Sequence, residues 1–270
     1  MSGYVSAEII GGLGNQLYII SACHILGKRL GKPVVFHRKE RSWSVIGTRD
    51  TYWDTLFKNN NTVHHELQFD VVVGEKGEVI ENVPNAQRIK LFGHFQNYRL
   101  HSDTFDEFRD LLFHPDVVKH AKAKVDKLRA ENPGKKLVSL HFRAGDFLLL
   151  PKCSSLCGVE YYKKALKHFP VGECIFLLFS ESQEMVEEYA TESGIENFQY
   201  IHDEDYIEML MMSFCDGNIV NNSTFSWWGS FINRRDKSLP ITMPSCWYHP
   251  EYGASGTEYR YFFPEAITID

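Results

Sequence analysis

The residue in this chain best placed to do chemistry is the arginine of His141-Phe142-Arg143-Ala144-Gly145-Asp146. The stretch overlaps the end of an apolar run, 137–142, that reads as a strand. Polar residues alternate with Phe142 and Ala144, so His141 and Arg143 project the same way. Arg143 is a permanent cation whose planar fork suits a phosphate. Gly145 permits a turn, and Asp146 can brace the guanidinium. A purely structural Arg–Asp pair gives the same pattern, but such a pair is costly to desolvate at the mouth of a sheet, which favours function.

A second constellation is Asn221-Asn222-Ser223-Thr224-Phe225-Ser226-Trp227-Trp228-Gly229. Here a strand meets a helix. Backbone N–H groups at a helix start, helped by Ser223, Thr224 or Ser226, make an anion site fit for a pyrophosphate. An ordinary N-cap needs only one such hydroxyl, and this junction carries more than that. Trp227 and Trp228 read as packing rather than sugar-stacking residues. The third constellation is Gly11-Gly12-Leu13-Gly14-Asn15-Gln16. Glycines between strand and helix allow a sharp turn and close approach to a ligand. Leu17 stands where a dinucleotide fingerprint wants its last glycine, and the next strand ends in Phe36-His37-Arg38 where an NAD site wants an acid. Two readings stay open: a tight turn that supports helix packing, or a loop in which Asn15 and Gln16 orient hydroxyls at a cleft.

The elements that must position these residues follow from periodicity. Strand 4–10 runs into helix 15–30, and strand 34–36 completes a βαβ beginning. Residues 38–63 are irregular and polar, with Trp43, Trp53 and Phe57 as anchors. Strand 87–92 and helix 116–131 follow, and Asn132-Pro133-Gly134 stops the helix, giving a boundary between domains 1–134 and 135–270. The last segment of the chain can pack back on the first half. Beyond 135, strands at 137–142, 174–180, 198–201, 218–220 and 241–243 alternate with helices at 160–168, 182–193, 205–215 and 227–233. That alternation implies a parallel sheet with helices on both faces. Ligands bind such sheets beyond the carboxyl ends of the strands.

Composition narrows the classes. With 270 residues, 43% hydrophobic and 24% charged, the chain is ordinary for a soluble globular protein. A net charge of −6 without a basic stretch argues against nucleic acid. No run is long enough to span a membrane and the start lacks a signal peptide, so the expectation is a cytoplasmic protein with no integral membrane segment. The six cysteines read as reduced thiols. Cys153 and Cys157 form at most half a zinc site. Oligomeric state leaves no mark in the sequence.

Together and in this order, the three constellations resemble the α-1,2-fucosyltransferase family, whose members show Gly-Gly-Leu-Gly-Asn-Gln, His-x-Arg-x-Gly-Asp and Asn-Ser-Thr-Phe-Ser-Trp-Trp-Gly. Gly93-His94-Phe95-Gln96 is similar to a fourth family segment, with His94 in place of Tyr. The resemblance spans roughly residues 8 to 250. It implies an α/β, GT-B-like fold of two Rossmann-like halves facing a cleft, with the acceptor on the amino-terminal half and GDP-fucose on the carboxyl-terminal half. It implies direct, inverting displacement onto a glycan hydroxyl, with no metal and no cofactor beyond the donor substrate. By the same resemblance Arg143 contacts the diphosphate and Asp146 braces it, with Asn15 and Gln16 near the reacting centre. His141, Asn222, Ser223, Thr224, Ser226, Ser180 and Glu181 would surround the donor, and Gly12, Gly14, His94 and Gln96 the acceptor. Glu181 and Ser182 depart from the family's Asp-Asp at that strand end. Asp146, His94 and Glu8 are the candidate general bases.

Asp203-Glu204-Asp205 looks like the carboxylate motif that holds a divalent metal in other glycosyltransferases. However, Asp205-Tyr206-Ile207-Glu208 also fits a capping box opening a helix, and that reading is preferred. The competing functions are transfer of another sugar such as rhamnose, a non-catalytic nucleotide-sugar or glycan-binding module, and an NADP-dependent oxidoreductase using Arg38.

Overall fold

Tyr-Val-Ser-Ala near the amino terminus is buried at every position and forms strand β1 (Tyr4–Ala7). In the computed structural model, which describes residues 3–44, 47–75, 80, 83–143, 157–248 and 260–270, β1 feeds a long, mostly buried helix α1 (Leu13–Leu30). Strand β2 (Phe36–His37) follows, then the hairpin of β3 (Arg41–Ser44) and β4 (Gly47–Asp50), then β5 (Thr62–Val63), β6 (Val71–Gly74) and β7 (Arg88–Phe92). Strands β1, β7 and β6 make a parallel sheet in the order β1-β7-β6. Val5 bridges Val34 on the other side of β1, next to the parallel β2-β5 pair. Helices α2 (Tyr98–Ser102) and α3 (Phe105–Leu112) complete this half of the chain, and α4 (Pro115–Glu131) leads out of it.

The segment read as irregular therefore contains the hairpin and β5. Two of its three expected anchors hold it. Trp53 and Phe57 are buried and packed together, with Trp53 on Phe36 at 5.4 Å between ring centroids. Trp43 does not anchor it. Strand alternation turns Ser42 inward and leaves Trp43 63% exposed.

The second half is built on β8 (Lys136–His141), α5 (Val159–Leu166), β9 (Cys174–Phe179), α6 (Gln183–Glu192), β10 (Phe198–Ile201), α7 (Asp205–Ser213), β11 (Gly217–Ile219), α8 (Thr224–Phe231), β12 (Ile241–Pro244) and β13 (Ala266–Ile269). All six strands are parallel in the order β10-β9-β8-β11-β12-β13. The chain winds outward from β8 to β10, returns to the other side of β8 at β11, and winds outward again. The β8/β11 boundary is thus the topological switch point, the place where a doubly wound sheet opens a crevice for ligands. Val138, Leu140, Phe176, Leu178 and Ile219 form the apolar centre beneath α5 and α6.

The chain divides into two compact units, Met1–Val117 and Val118–Asp270. The division falls at the first turn of α4 rather than after it at 134, because α4 is tied to the second sheet. Arg129 pairs with Asp216 at 2.7 Å and donates to the Phe214 carbonyl, and Lys124 pairs with Asp203 at 2.6 Å. The last segment, expected against the first half, supplies β13 as the edge of the second sheet. No helix among the described residues is long and apolar enough to cross a membrane.

Candidate functional site

The carboxyl ends of β9, β8 and β11 lie side by side, and each is followed by a residue from the sequence-predicted site. Two residues past β8, Arg143 forms an ion pair with Glu181, two residues past β9. The guanidinium side chain is 21% exposed and the carboxylate 48%, so the cation is held between protein and solvent with a counter-ion that water already reaches. Asp146 and Gly145 lie outside the described residues.

His141 is buried, and its Nδ1 donates to Asn221 Oδ1 at 3.1 Å across the switch point. Burial, reinforced by the charge of Arg143, pushes its imidazole down to about 3. The ring is neutral at physiological pH and packs on Phe225, with centroids 5.2 Å apart. The sequence expected His141 beside the donor; the structure gives it the task of fixing the strand ends. Asn221, which opens the constellation read from the sequence but is given no donor contact there, is the hub. Its Oδ1 also accepts from Ser226 Oγ at 2.9 Å. The signal available was its position just beyond the apolar strand, one residue past the point opposite His141 in the register of β11 on β8.

At the start of helix α8 the hydroxyls have different duties. Ser223 is the N-cap, its Oγ accepting from Phe225 N at 3.3 Å. Ser226 is spent on Asn221, and the Asn222 amide donates to the Trp247 carbonyl at 3.2 Å. All three are buried, whereas Thr224, the first helical residue, is only half-buried. Trp227 and Trp228 are fully buried core residues, with Trp227 Nε1 donating to the Tyr261 carbonyl at 2.6 Å. Ser180 is buried and its Oγ accepts from Ser182 N at 3.2 Å, which shapes the turn that presents Glu181.

In the first unit, the loops beyond β1 and β7 come together. Gly11 has φ +80°, and a Cβ there would sit 2.5 Å from the Asn15 amide nitrogen, so glycine is required. Gly12 is the N-cap of α1 with open space around it, and Gly14 is buried inside the helix. Asn15 Oδ1 accepts from Gln96 Nε2 at 2.8 Å. Gln16 is fully buried: its Nε2 donates to the Gly11 carbonyl at 3.0 Å, the Asp50 carbonyl at 2.8 Å and Ser42 Oγ at 3.3 Å. Gln16 holds the glycine loop to the β3–β4 hairpin. Its neighbour on the helix, about 100° round the axis, is the half-buried one.

The segment 93–97 turns sharply. Gly93 has φ +145° and would meet the Glu75 Cβ at 2.6 Å with a side chain, and Phe95 adopts φ +55° although it is not glycine. Glu75, at the end of β6, accepts from the backbone N–H groups of His94 and Phe95 at 3.0 and 3.1 Å. The ring of His101 links Ser21 Oγ to the Phe95 carbonyl, both at 2.8 Å. Strained backbone of this kind persists where its surroundings over-determine it. Sequence reasoning missed Glu75 because β6 is a four-residue strand with no alternation to announce it. His94 is half-buried, and burial lowers its imidazole below the usual range.

The remaining candidates are structural. Glu8 bridges Lys39 and Lys90, each at 3.2 Å, and the Lys39 contact leads in holding its carboxylate below the ordinary range, which makes it a poor base. Asp203 is engaged by Lys124. Helix α7 is capped one position earlier than the capping box implied: Glu204 is the N-cap, and Glu208 reaches back to accept from Asp203 N at 2.9 Å. Arg38 pairs with Asp54 and Glu40. Cys157 is a free thiol pushed up to about 12 by burial, and Cys153 lies outside the described residues.

Residues 58–260 match the sequence model of Glycosyl transferase family 11. The chain belongs to glycosyl transferase family 11. The family 11 match takes in the Arg143 motif, the Glu181 strand end and the start of α8, while Gly11–Gln16 precedes it. Two relatives from Escherichia coli are similar over part of their length. The O-antigen biosynthesis glycosyltransferase WbnK is 32% identical over 119 residues, 41% of this chain and 38% of that protein. An alpha-1,2-colitosyltransferase is 26% identical over 171 residues, 60% of this chain and 57% of that protein. The matched region thus spans less than two thirds of either relative. Among solved structures, the fucosyltransferase NodZ from Bradyrhizobium aligns with a TM-score of 0.58 at 12% identity, covering 85% of this chain and 92% of NodZ. NodZ has also been crystallised with GDP. At that identity the likeness speaks for the fold, and this family 11 chain has an α/β, GT-B-like fold.

Proposed function

We propose that this chain is an inverting, metal-independent glycosyltransferase that moves L-fucose from GDP-fucose to a hydroxyl of a glycan acceptor, forming an α-1,2 linkage. One observation carries the reading: a mostly buried arginine, paired to a half-exposed carboxylate, follows β8 at the switch point, and the capped start of α8 follows the neighbouring β11. That edge offers a guanidinium fork and helix N–H groups to one anion, the arrangement a diphosphate leaving group needs.

In the proposed reaction the acceptor oxygen attacks the anomeric carbon while the bond from that carbon to the phosphate oxygen breaks. The electron pair leaves with GDP, where Arg143 and the α8 start stabilise the charge as preorganised electrostatics. The hydroxyl proton goes to a general base. The GDP complex of NodZ supports the choice of nucleotide by analogy of fold. A cytoplasmic site of action is in keeping with the free thiols of Cys23, Cys157, Cys174, Cys215 and Cys246.

The colitosyltransferase relative favours a second reading, transfer of a related deoxy sugar from the same kind of donor. Colitose lacks the 3-hydroxyl of L-fucose, a difference a diphosphate clamp does not sense. Thermal unfolding with GDP, UDP, NADPH and GDP-fucose, each with and without magnesium, tests the donor. A ligand at 100 times its Kd raises stability by about 2.7 kcal/mol. A GDP-selective shift that needs no magnesium is expected. A shift that requires magnesium, or none with guanine nucleotides, would overturn the assignment. Turnover of GDP-fucose against GDP-colitose then decides the sugar.

A further inference from the structure

We propose that Tyr161 and Tyr162 are positioning residues for the diphosphate clamp, fixing the separation of the two strand ends that lead to Arg143 and to the start of α8. The inference rests on the proposed function for the clamp itself and adds the residues that set its width.

The ladder between β8 and β11 ends with the pair Leu140–Ile219. His141 and Val220 stand one residue beyond it, both buried. Each strand keeps its outer neighbour there: Phe142 N still donates to the Phe179 carbonyl at 2.9 Å, and Val220 N to the Thr242 carbonyl at 2.9 Å. Pairing therefore stops only on the inner side, where the crevice of a doubly wound sheet opens. Two phenols stand in for the missing rungs. The Tyr162 hydroxyl donates to the His141 carbonyl at 3.0 Å, and the Tyr161 hydroxyl donates to the Val220 carbonyl. Burial pushes both phenols well above their usual range, so each hydroxyl keeps its proton and remains a donor.

Satisfying two buried carbonyls is a structural duty that any pair of donors could perform. Here both donors are consecutive residues in the first turn of α5. Successive side chains on a helix diverge by about 100°, which lets one turn reach two strands. Tyr162 is also packed near Phe142, with centroids 6.1 Å apart. Two bonds from one helix to two strand ends fix the ends relative to each other. The His141–Asn221 bond at 3.1 Å ties the same ends by their side chains. Arg143 lies two residues past His141, and Ser223, the N-cap of α8, three past Val220. A carbonyl that drifts on either strand thus moves one jaw of the clamp and not the other.

The test is calorimetric titration of the full-length chain with inorganic pyrophosphate and with GDP, both without magnesium. The unsubstituted chain is expected to bind both. Tyr162→Phe removes one hydroxyl and keeps the ring against Phe142. It should weaken each ligand by about fivefold, the value of one hydrogen bond, and Tyr161→Phe should do likewise. Ser139→Ala is the control. It also deletes a buried hydrogen bond between β8 and β11, from Asn218 Nδ2 at 2.6 Å, but on the ladder rather than beyond it. That loss should lower the unfolding midpoint and leave both affinities unchanged. Tyrosine variants that bind like the unsubstituted chain, or a loss in Ser139→Ala as large as theirs, would overturn the assignment while the clamp stands. No binding of either ligand by the unsubstituted chain would remove the clamp, and the role of the tyrosines with it.

Discussion

The carboxyl edges of the two parallel sheets look alike in sequence and differ in how their polar side chains are spent. At the first sheet, Gln16 donates to two carbonyls and a hydroxyl, and Glu75 accepts from two backbone N–H groups. His101 bridges a hydroxyl and a carbonyl. Those partners cannot leave without opening a loop. At the second sheet, Arg143 is paired with the half-exposed carboxylate of Glu181, a partner that a phosphate can replace at little cost. A polar residue after a strand is therefore ambiguous until its partners are known. Side chains tied to buried backbone build the edge, and side chains tied to an exchangeable counter-ion are available to a ligand.

Substitution at each edge can break that contrast. Arg143→Ala should give the largest effect, a fall in turnover of roughly 10²–10³. The unfolding midpoint should barely move, because a partly exposed ion pair contributes little. Arg143→Lys should recover only a small part, since the ammonium lacks the planar fork. Near-normal turnover in Arg143→Ala would remove the clamp. Gln16→Ala should do the opposite. Leaving its buried acceptors unpaired should cost about 2–3 kcal/mol in denaturant unfolding, with turnover per folded molecule nearly kept. Intact stability with a hundredfold loss of turnover would make Gln16 a catalytic group and erase the difference between the edges.

Much of the second half was legible because its strands are buried on both faces and read as apolar runs between helices. Strand β10 runs from Phe198 to Ile201 as its residues imply, and β8 and β9 differ from expectation only at their ends. Strand β13 was invisible for the opposite reason: Ile267 and Thr268 are exposed on the sheet edge, so no apolar run marks it. Chemical type and approximate place were legible in the site, but facing was not. Asn15 and Gln16 are adjacent amides on one helix, and only packing turns one outward and buries the other. The cap of α7 shows the same limit, because Asp203-Glu204-Asp205 offers three registers for one capping glutamate and the chain adopts an earlier one than the motif implied.

Glu208 sharpens the comparison from another side, as a buried acid beside the working edge that serves architecture. Burial raises its carboxyl to about 8, and Asp205, Asp203 and Glu181 push the same way, against the hydrogen bond from Asp203 N. Its folded pKa lies above the unfolded value, so the native state holds a proton that the unfolded chain releases. The associated stability is fully present below about pH 4.5 and is lost as pH rises through about 8. Glu208→Gln keeps an acceptor for Asp203 N without the charge. It should leave stability unchanged near pH 4.5 and add on the order of 2 kcal/mol at pH 9, read as a shallower fall of the unfolding midpoint between about pH 4.5 and 8. An unchanged fall across that window would mean that Glu208 ionises freely in the folded protein.

The smallest effect belongs to Glu181, and it bears most directly on the exchangeable counter-ion. If Glu181 merely keeps Arg143 company until a diphosphate arrives, it competes with that ligand, and Glu181→Gln should tighten inorganic pyrophosphate and GDP binding without magnesium. An exposed ion pair is worth ~0–1 kcal/mol, so the gain is at most about fivefold, measurable by calorimetry at low salt. It should shrink as salt screens the pair. The same substitution should leave the unfolding midpoint within experimental scatter, in contrast to Gln16→Ala at the other edge. Weaker binding in Glu181→Gln would mean that the carboxylate orients the guanidinium for the ligand. In that case the second edge, like the first, is locked in place by its own side chains.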